Sequence, residues 1–352
     1  VYCVLKILIL FYFMYSINDA FILVLNKNYL NHFYTQQKTV WDQNMGYYSK
    51  LTVMIRYSIL KLGKMRVSFI AAILFCVYHV SGHEDFSGWH KKVGIEEAKK
   101  IKAYEQSVIG MSPIVGGAVA PLNAHPYLAG LLIDIIGLNG PSACGGSLLT
   151  SSRVLTAAHC WYDGRNRAWS FTVVLGSPFL FFGGHRIPTQ TIAIHPQYEV
   201  STLANDIAVL YLPVSVPISD TVRPITLPYG IFLQMDYVGV WAKAAGYGKY
   251  SDLTNPTMNT VVRDVFLQVI SQNQCAAVYG NIVTHSNICT NGANGVGICQ
   301  GDSGGPLTVN TGAEDILIGV SSFVAQIGCE LGFPSAFARV TSFIDWITIH
   351  MM

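Results

Sequence analysis

Three short motifs, in a fixed order along the chain, constrain this sequence more than any other feature. The peptides Thr-Ala-Ala-His-Cys, Asn-Asp-Ile-Ala-Val-Leu and Gly-Asp-Ser-Gly-Gly-Pro each place one reactive side chain among small or apolar residues: His159, Asp206 and Ser303. A serine hydroxyl is a weak nucleophile that needs an adjacent base, and the base needs an orienting group. We therefore expect Ser303 to be a nucleophile, His159 its base and Asp206 the orienting carboxylate. The same three residue types occur in three different orders along the chain in three unrelated folds, and His, Asp, Ser is one of these orders.

The glycines around Ser303 predict a second catalytic element. Gly301 and Gly304 keep the neighbouring chain free of side chains. The backbone N–H groups of Gly301 and Ser303 could then stabilise a developing oxyanion, which is usually the largest catalytic effect. Taken singly, His159 is better explained as a packed core histidine, and Asp206 or Ser303 could equally well be a turn residue. The three motifs together favour catalysis.

From residue 114 onward, short apolar segments alternate with turns rich in Gly, Pro and Asn. This rhythm predicts an all-β sandwich or barrel. The predicted strands are 127–136, 146–150, 170–175, 207–212 and 316–321. Apolar residues at helical spacing predict a C-terminal helix over 342–350.

Charge is distributed unevenly along the 352 residues. Residues 1–113 contain 13 Lys and Arg against 7 Asp and Glu, a net charge of +6, whereas residues 114–352 contain 9 against 13, a net charge of −4. The main part of the chain is therefore acidic and has no basic run. We expect no nucleic-acid partner.

Cysteine usage indicates an exported protein without a metal centre. Cys3 and Cys76 lie in segments that we expect the mature protein to lack, which leaves an even number. Six half-cystines in an exported domain predict three disulfides. Because the sequence contains no Cys-X-X-Cys pair, we predict no zinc site, no other metal and no cofactor. The six cysteines are Cys144, Cys160, Cys275, Cys289, Cys299 and Cys329.

The region before the β-fold has the pattern of a secretory leader. A basic start at Met65 precedes a short apolar run with a small-residue exit, which predicts a signal peptide over 65–82. The alternative is a membrane anchor, for which the run is short. Residues 83–113 are interpreted as an activation propeptide containing a charged helix with a Glu96–Lys100 pair.

Residues 1–64 begin with Val rather than Met and show no clean periodicity. We interpret them as translated upstream sequence, foreign to the native protein. The alternative is a transmembrane or signal-anchor segment over 7–25. A peptide from 1–64 in native material would contradict the first interpretation.

The motifs together resemble the chymotrypsin family (S1) of serine endopeptidases, and the resemblance covers 114–350. Gly88-Trp89-His90 and Val93-Gly94-Ile95 in the propeptide are similar to those of insect digestive enzymes of the lepidopteran type. The resemblance implies two six-stranded antiparallel β-barrels, the first about 114–235 and the second about 236–340, with the active site between them. It also implies three disulfide pairs: Cys144–Cys160, Cys275–Cys289 and Cys299–Cys329.

The resemblance further implies an activation step at Ile114, which opens the sequence Ile-Val-Gly-Gly. Cleavage there would free an α-amine that pairs with buried Asp302, because a buried carboxylate without a partner is costly. Pro113 departs from the family pattern, which has Arg or Lys before this Ile. A non-tryptic activator, a blocked zymogen and a sequence error all remain open.

A set of small and apolar residues is expected to form the specificity pocket. By resemblance, the floor lies six residues before Ser303, where trypsin-like enzymes have Asp and this chain has a glycine. An uncharged floor predicts cleavage after Leu, Met, Phe or small aliphatic residues, with large aromatics partly excluded by a valine on one wall. The predicted pocket residues are Gly297, Ser322, Phe323, Val324 and Ser335.

The leading hypothesis is a secreted digestive endopeptidase, made as a zymogen, that works through an acyl-enzyme. We expect protein or peptide substrates, an activating protease, protein inhibitors, an extracellular location (the gut lumen by resemblance), no membrane association of the mature form and a monomer. The alternatives are a catalytically silent homologue that acts as a binding or regulatory module, a regulatory cascade protease, and a membrane-anchored protease.

Overall fold

The computed structural model describes residues 87–108, 124–248, 262–325 and 328–352, which belong to one compact unit, Glu84–Met352. The predicted upstream segment, the predicted signal peptide and the predicted activation site at Ile114 lie outside the described residues.

Seven antiparallel strands form the first sheet, in the order β5-β4-β1-β2-β3-β7-β6. Its two end strands, β5 and β6, are separated in the chain only by Gln190. The bent stretch 185–194 therefore pairs with β4 at one end and with β7 at the other, and closes the sheet on itself. Counted with this stretch as one strand, the sheet is a six-stranded barrel. The strands are β1 Leu128–Ile135, β2 Ser142–Thr150, β3 Arg153–Thr156, β4 Ala168–Leu175, β5 His185–Thr189, β6 Thr191–Ile194 and β7 Ala208–Tyr211.

Six further antiparallel strands form a closed barrel in the order β10-β13-β12-β11-β8-β9. Its interior is filled by apolar side chains such as Leu267, Ile318 and Phe337, which are all but inaccessible to solvent. The all-β, two-barrel prediction is thus confirmed, and the predicted strands differ from the observed ones by a few residues at their ends. The strands are β8 Trp241–Gly246, β9 Arg263–Ile270, β10 Asn287–Thr290, β11 Pro306–Asn310, β12 Asp315–Phe323 and β13 Ser335–Arg339.

Three α-helices are described: α1 Ile95–Val108, α2 Gln272–Tyr279 and α3 Ile344–Met351. Helix α2 begins with a capping box, in which the Ser271 hydroxyl accepts from the Gln274 N–H and the Gln274 side chain accepts from the Ser271 N–H. Helix α3 starts two residues later than predicted, because Val340–Phe343 forms a 3₁₀ turn first.

The ion pairs on α1 differ from the predicted one. Glu96 pairs with Lys99 and Glu97 pairs with Lys100, both at 2.8 Å and both three residues apart. The predicted Glu96–Lys100 pair is thus replaced by two neighbouring pairs on the same helix. In the parts of the chain that the structure describes, no helix is long and apolar enough to cross a membrane.

Candidate active site

His159 and Asp206 are joined by two hydrogen bonds next to the first barrel. His159 lies in a 3₁₀ turn that follows β3, and Asp206 lies just before β7, the strand that pairs with β3. The His159 side chain donates its Nδ1–H to Asp206 Oδ2 (2.7 Å), and the His159 backbone N–H donates to Oδ1 (2.9 Å). A proton on Nδ1 leaves Nε2 with a lone pair, as a general base requires.

The Ser303 loop of the second barrel packs against backbone next to His159. The Gly145 N–H donates to the Ser303 carbonyl oxygen (2.7 Å). Gly304 has a φ of +80°, and a β-carbon there would collide with Thr156 Oγ1 and the Gly145 carbonyl oxygen. Because only glycine tolerates this approach, Gly304 allows the two loops to meet. His159 and Ser303 consequently line one cavity.

The backbone before Ser303 is arranged for anion stabilisation. Gly301 has a φ of +98°, which favours glycine. The N–H groups of Gly301 and Ser303 have no hydrogen-bond acceptor among the described residues. Two unpaired donors beside a predicted nucleophile are what an oxyanion hole needs.

Asp302 lies between these two donors in the sequence, and its carboxylate lies against glycine backbone. It accepts from the Gly248 N–H (2.8 Å) and the Cys299 N–H (3.0 Å). Burial raises the pKa of the Asp302 carboxyl to about 6, and the two backbone donors oppose this rise. No cationic side chain among the described residues forms an ion pair with it.

The walls of the cavity are largely apolar, with Ile298, Phe323 and Val324 among its lining residues. Ser335 lies behind this wall, where its hydroxyl accepts from the Ile298 N–H (3.2 Å). A β-carbon on Gly297 would lie 2.7 Å from Ser335 Oγ. The structure therefore brings these predicted pocket residues together, with Gly297 and Ser335 packed against each other.

Ser322 has a contact that sequence reasoning missed. Its hydroxyl donates to Asp206 Oδ2 (2.6 Å), the oxygen that also accepts from His159. Ser322 thus supports the carboxylate as well as lining the cavity. Nothing in the local sequence pattern could have indicated this, because the contact joins the two barrels.

Residues upstream of the predicted activation site also line the cavity, which the sequence did not indicate. Trp89, Lys92 and Val93 lie in the same cleft as His159 and Ser303. The Trp89 and His159 rings meet edge to face, with their centroids 5.1 Å apart.

Three disulfides stabilise the loops around the site, with the pairing that the resemblance implies. They are Cys144–Cys160, Cys275–Cys289 and Cys299–Cys329. The sulfurs of Cys144 and Cys160 lie near a His159 nitrogen in a cluster of potential metal ligands. Because these sulfurs are joined to each other, they offer no thiolate to a metal.

The comparisons with known proteins agree with this geometry. Residues 114–347 match the family model described as Trypsin. The chain belongs to the trypsin family of serine peptidases, the S1 chymotrypsin type. It is 36% identical to the collagenase of Hypoderma lineatum over 235 residues, which cover 66% of this chain and 85% of that protein. It is 40% identical to brachyurin of Leptuca pugilator over 238 residues, which cover 66% of this chain and 96% of that protein.

A solved structure of HL collagenase superposes on this trypsin-family chain with a TM-score of 0.60 at 35% identity, covering 68% of this chain and 98% of the other. The predicted family is therefore confirmed, and the chain is a serine endopeptidase. Trp89, Lys92 and Val93, which line the cleft, lie before the stretch that matches the family model.

Proposed function

We propose that His159, Asp206 and Ser303 are the catalytic triad of a secreted digestive endopeptidase, made as a zymogen, that cleaves after uncharged apolar residues. The observation that carries this proposal is the pair of hydrogen bonds from His159 to the buried Asp206, at the edge of the cavity that Ser303 lines.

In the proposed reaction, Ser303 Oγ attacks the scissile carbonyl carbon while His159 Nε2 takes the hydroxyl proton. The C–N bond then breaks, and the proton passes to the leaving amine, which leaves an acyl-enzyme ester. A water molecule, deprotonated by His159, attacks the ester carbonyl carbon; the bond from that carbon to Ser303 Oγ breaks, and His159 returns the proton to Oγ. Asp206 stays ionised and stabilises the imidazolium. The N–H groups of Gly301 and Ser303 bind the oxyanion in both halves of the reaction.

The proposed specificity follows from the walls of the cavity. Ile298 and Val324 present apolar surface, and no carboxylate stands at Gly297 to pair with Arg or Lys. Transfer of an apolar side chain from water to such walls is favourable by about 25 cal/mol per Å² buried. The strand that ends in Ser322-Phe323-Val324 would bind the substrate backbone as an added antiparallel strand.

The proposed activation explains the environment of Asp302. Its pKa is raised by burial, so the charged form is unfavourable until a cation arrives. The α-amine of Ile114, freed by cleavage after Pro113, would supply that cation and hold the loop of Gly301 and Ser303. A protease that cuts after proline, rather than a trypsin, is then needed upstream.

The digestive and extracellular role, in the gut lumen, is proposed from the resemblance to insect digestive enzymes and from the disulfides, which persist in oxidising compartments. The printed names of two relatives, collagenase and brachyurin, describe those proteins. For this chain we propose protein substrates in general, a monomer, and regulation by an activator and by protein inhibitors.

One alternative is a catalytically silent homologue that acts as a binding module. Pro113 favours it, because the ordinary tryptic activator cannot cut there. All three triad positions are occupied by the required residue types, which favours catalysis.

To test the proposal, residues 110–113 of the full chain are replaced by the recognition sequence of a site-specific protease that cuts before Ile114. Hydrolysis is then measured on peptides that differ only at the residue before the scissile bond, with Ser303→Ala as the control. We expect cleavage after Leu, Phe or Ala that disappears in the control. Folded, cleaved protein that has been separated from the 1–113 fragment and still hydrolyses none of the peptides would establish the binding-module alternative.

A further inference from the structure

The start of the described propeptide, residues 87–94, occupies the active-site cleft. Trp89 covers His159 edge to face, and with the segment in place His159 is only 3% exposed and Ser303 only 9%. A substrate must reach both side chains. It therefore cannot bind productively while Trp89 holds this position.

Polar contacts hold this segment to the first barrel. The His90 N–H donates to Asp163 Oδ2 (2.7 Å), and the imidazole Nδ1 bonds to the Ser142 hydroxyl (2.9 Å). The Gly88 N–H donates to the Asp163 carbonyl oxygen (3.1 Å). His90 and Asp163 are both at least 99% buried, so these bonds are shielded from water.

Gly94 permits the segment to approach β2 closely. A β-carbon at Gly94 would collide with Ser142 Oγ and would lie 2.8 Å from the Trp89 ring. Gly94 lies in a π-helical turn, His90–Gly94, where alanine is sterically allowed by the backbone itself. The glycine is therefore explained by the docking contact rather than by local conformation.

Helix α1 continues the contact away from Trp89. Ala98 and Ile101 pack in an apolar cluster with side chains of both barrels, including Val174 and Tyr247. The Glu105 carboxylate accepts from two backbone N–H groups, those of Leu180 (2.5 Å) and Phe181 (2.7 Å). The segment is thus anchored at both ends.

The docked segment is not in the conformation of a substrate. Peptide substrates of a cleft edged by a strand bind in extended form, as an added strand. Trp89 has helical φ and ψ, and the chain stays helical from there to Val108. The described segment therefore presents no extended backbone to Ser303.

We propose that residues 87–108 are a tethered inhibitor of the active-site cleft, and that they stay bound after cleavage before Ile114 until they are displaced or digested. This inference rests on the proposed catalytic function of His159 and Ser303. Activation then has two steps, which are cleavage of the chain and release of the segment.

The kinetic test uses the full chain with the site-specific cleavage sequence at 110–113, in wild-type form and with Gly94→Ala or Trp89→Ala. Lys99→Ala is the matched control, since Lys99 is exposed on α1 and its one ion pair among the described residues is with Glu96. We expect peptide hydrolysis to lag behind cleavage in the wild type and the control. In the two variants the initial rate after cleavage should be higher by on the order of tenfold or more, because a few central contacts carry most of the binding energy of an interface. Hydrolysis that rises in step with cleavage in all four proteins would overturn the inference.

A second readout needs no catalysis. The same proteins with Ser303→Ala are cleaved and passed through a native sizing column, which separates the 1–113 fragment from 114–352 if it has dissociated. We expect co-elution for the wild type and Lys99→Ala, and separation for Gly94→Ala. Separation in the wild type would overturn the inference. Co-elution, together with no hydrolysis by any protein that carries Ser303, would leave the binding established and contradict the proposed catalysis instead.

Discussion

Val324 is the residue whose size should set the preference of the pocket. It is half-buried, lines the cleft and packs against the apolar cluster of the second barrel. Val324→Gly removes its side chain from the wall. We expect the ratio of hydrolysis after Phe to hydrolysis after Ala to rise by roughly tenfold or more, since even one methylene in a pocket is worth about 10- to 200-fold.

Val214→Gly is the matched control for this measurement, because Val214 is 59% exposed and does not line the cleft. It introduces the same backbone freedom without altering the wall, and the ratio should stay unchanged. An equal ratio for Val324→Gly and wild type would exclude Val324 from the pocket.

Asp302 should make the uncleaved chain less stable as the pH rises. Its folded pKa of about 6 lies above the ordinary aspartate pKa of 3.8, so the folded state holds the proton more tightly. The free energy of unfolding therefore falls between about pH 4 and pH 6 and then levels off, by no more than about 3 kcal/mol. Asp302→Asn removes this titration. Between about pH 4 and pH 6, the unfolding free energy of the variant should therefore rise relative to that of the wild type, as measured by denaturant unfolding at several pH values. A difference that does not change with pH would contradict the account.

On helix α1, the carboxyl group of Glu105 should likewise stabilise the folded state less as the pH rises. Burial raises the pKa of Glu105 to about 7, against opposing contributions from the N–H groups of Leu180 and Phe181 and from Arg186. Tyr247 also faces this carboxyl. The group binds its proton more tightly when docked, so docking is strongest below about pH 4.5 and weakens up to about pH 7. For Glu105→Gln, we expect α1 to lose this pH dependence in hydrogen exchange of its backbone amides.

Glu96→Gln is the control on the same helix. Glu96 is exposed and pairs with Lys99, and that pairing lowers its pKa. Its contribution is therefore complete above the ordinary glutamate pKa and is lost only as the pH falls below it. The amide exchange of α1 in this variant should keep the wild-type dependence between pH 4.5 and 7. A similar response of the two variants would rule out Glu105 as the source.

At the scale of strands and helices, sequence reasoning succeeded where a signal is local. The short apolar segment 170–175 indicated a strand because nearly all of β4 is buried, and the spacing of 342–350 indicated a helix because one face of α3 packs on the barrel. The bend at Gln190 was missed, because nothing in the flanking residues distinguishes one bent strand from two. The docking of Trp89 on His159 joins residues 70 positions apart, so no periodicity could reveal it.

At the scale of the whole molecule, two disulfides should contribute similarly to stability but differently to catalysis. Cys275–Cys289 and Cys299–Cys329 close loops with sequence separations of 14 and 30 residues. In the chain-entropy account each contributes about 3 to 4 kcal/mol, and the two differ by less than about 1 kcal/mol. Replacing either pair by serine should therefore lower the free energy of unfolding by similar amounts.

The two replacements should differ in activity. Cys299 lines the cleft and starts the turn that ends in Ser303, because the Asp302 N–H donates to its carbonyl oxygen (3.1 Å). The Cys275–Cys289 bond joins α2 to β10, and neither cysteine lines the cleft. After active-site titration to count folded enzyme, kcat/KM per site should fall on the order of tenfold or more for Cys299→Ser/Cys329→Ser, because small displacements of an oxyanion donor are costly. It should stay close to wild type for Cys275→Ser/Cys289→Ser. Equal losses per titrated site would mean that the Cys299–Cys329 bond stabilises the barrel and does not position the oxyanion loop.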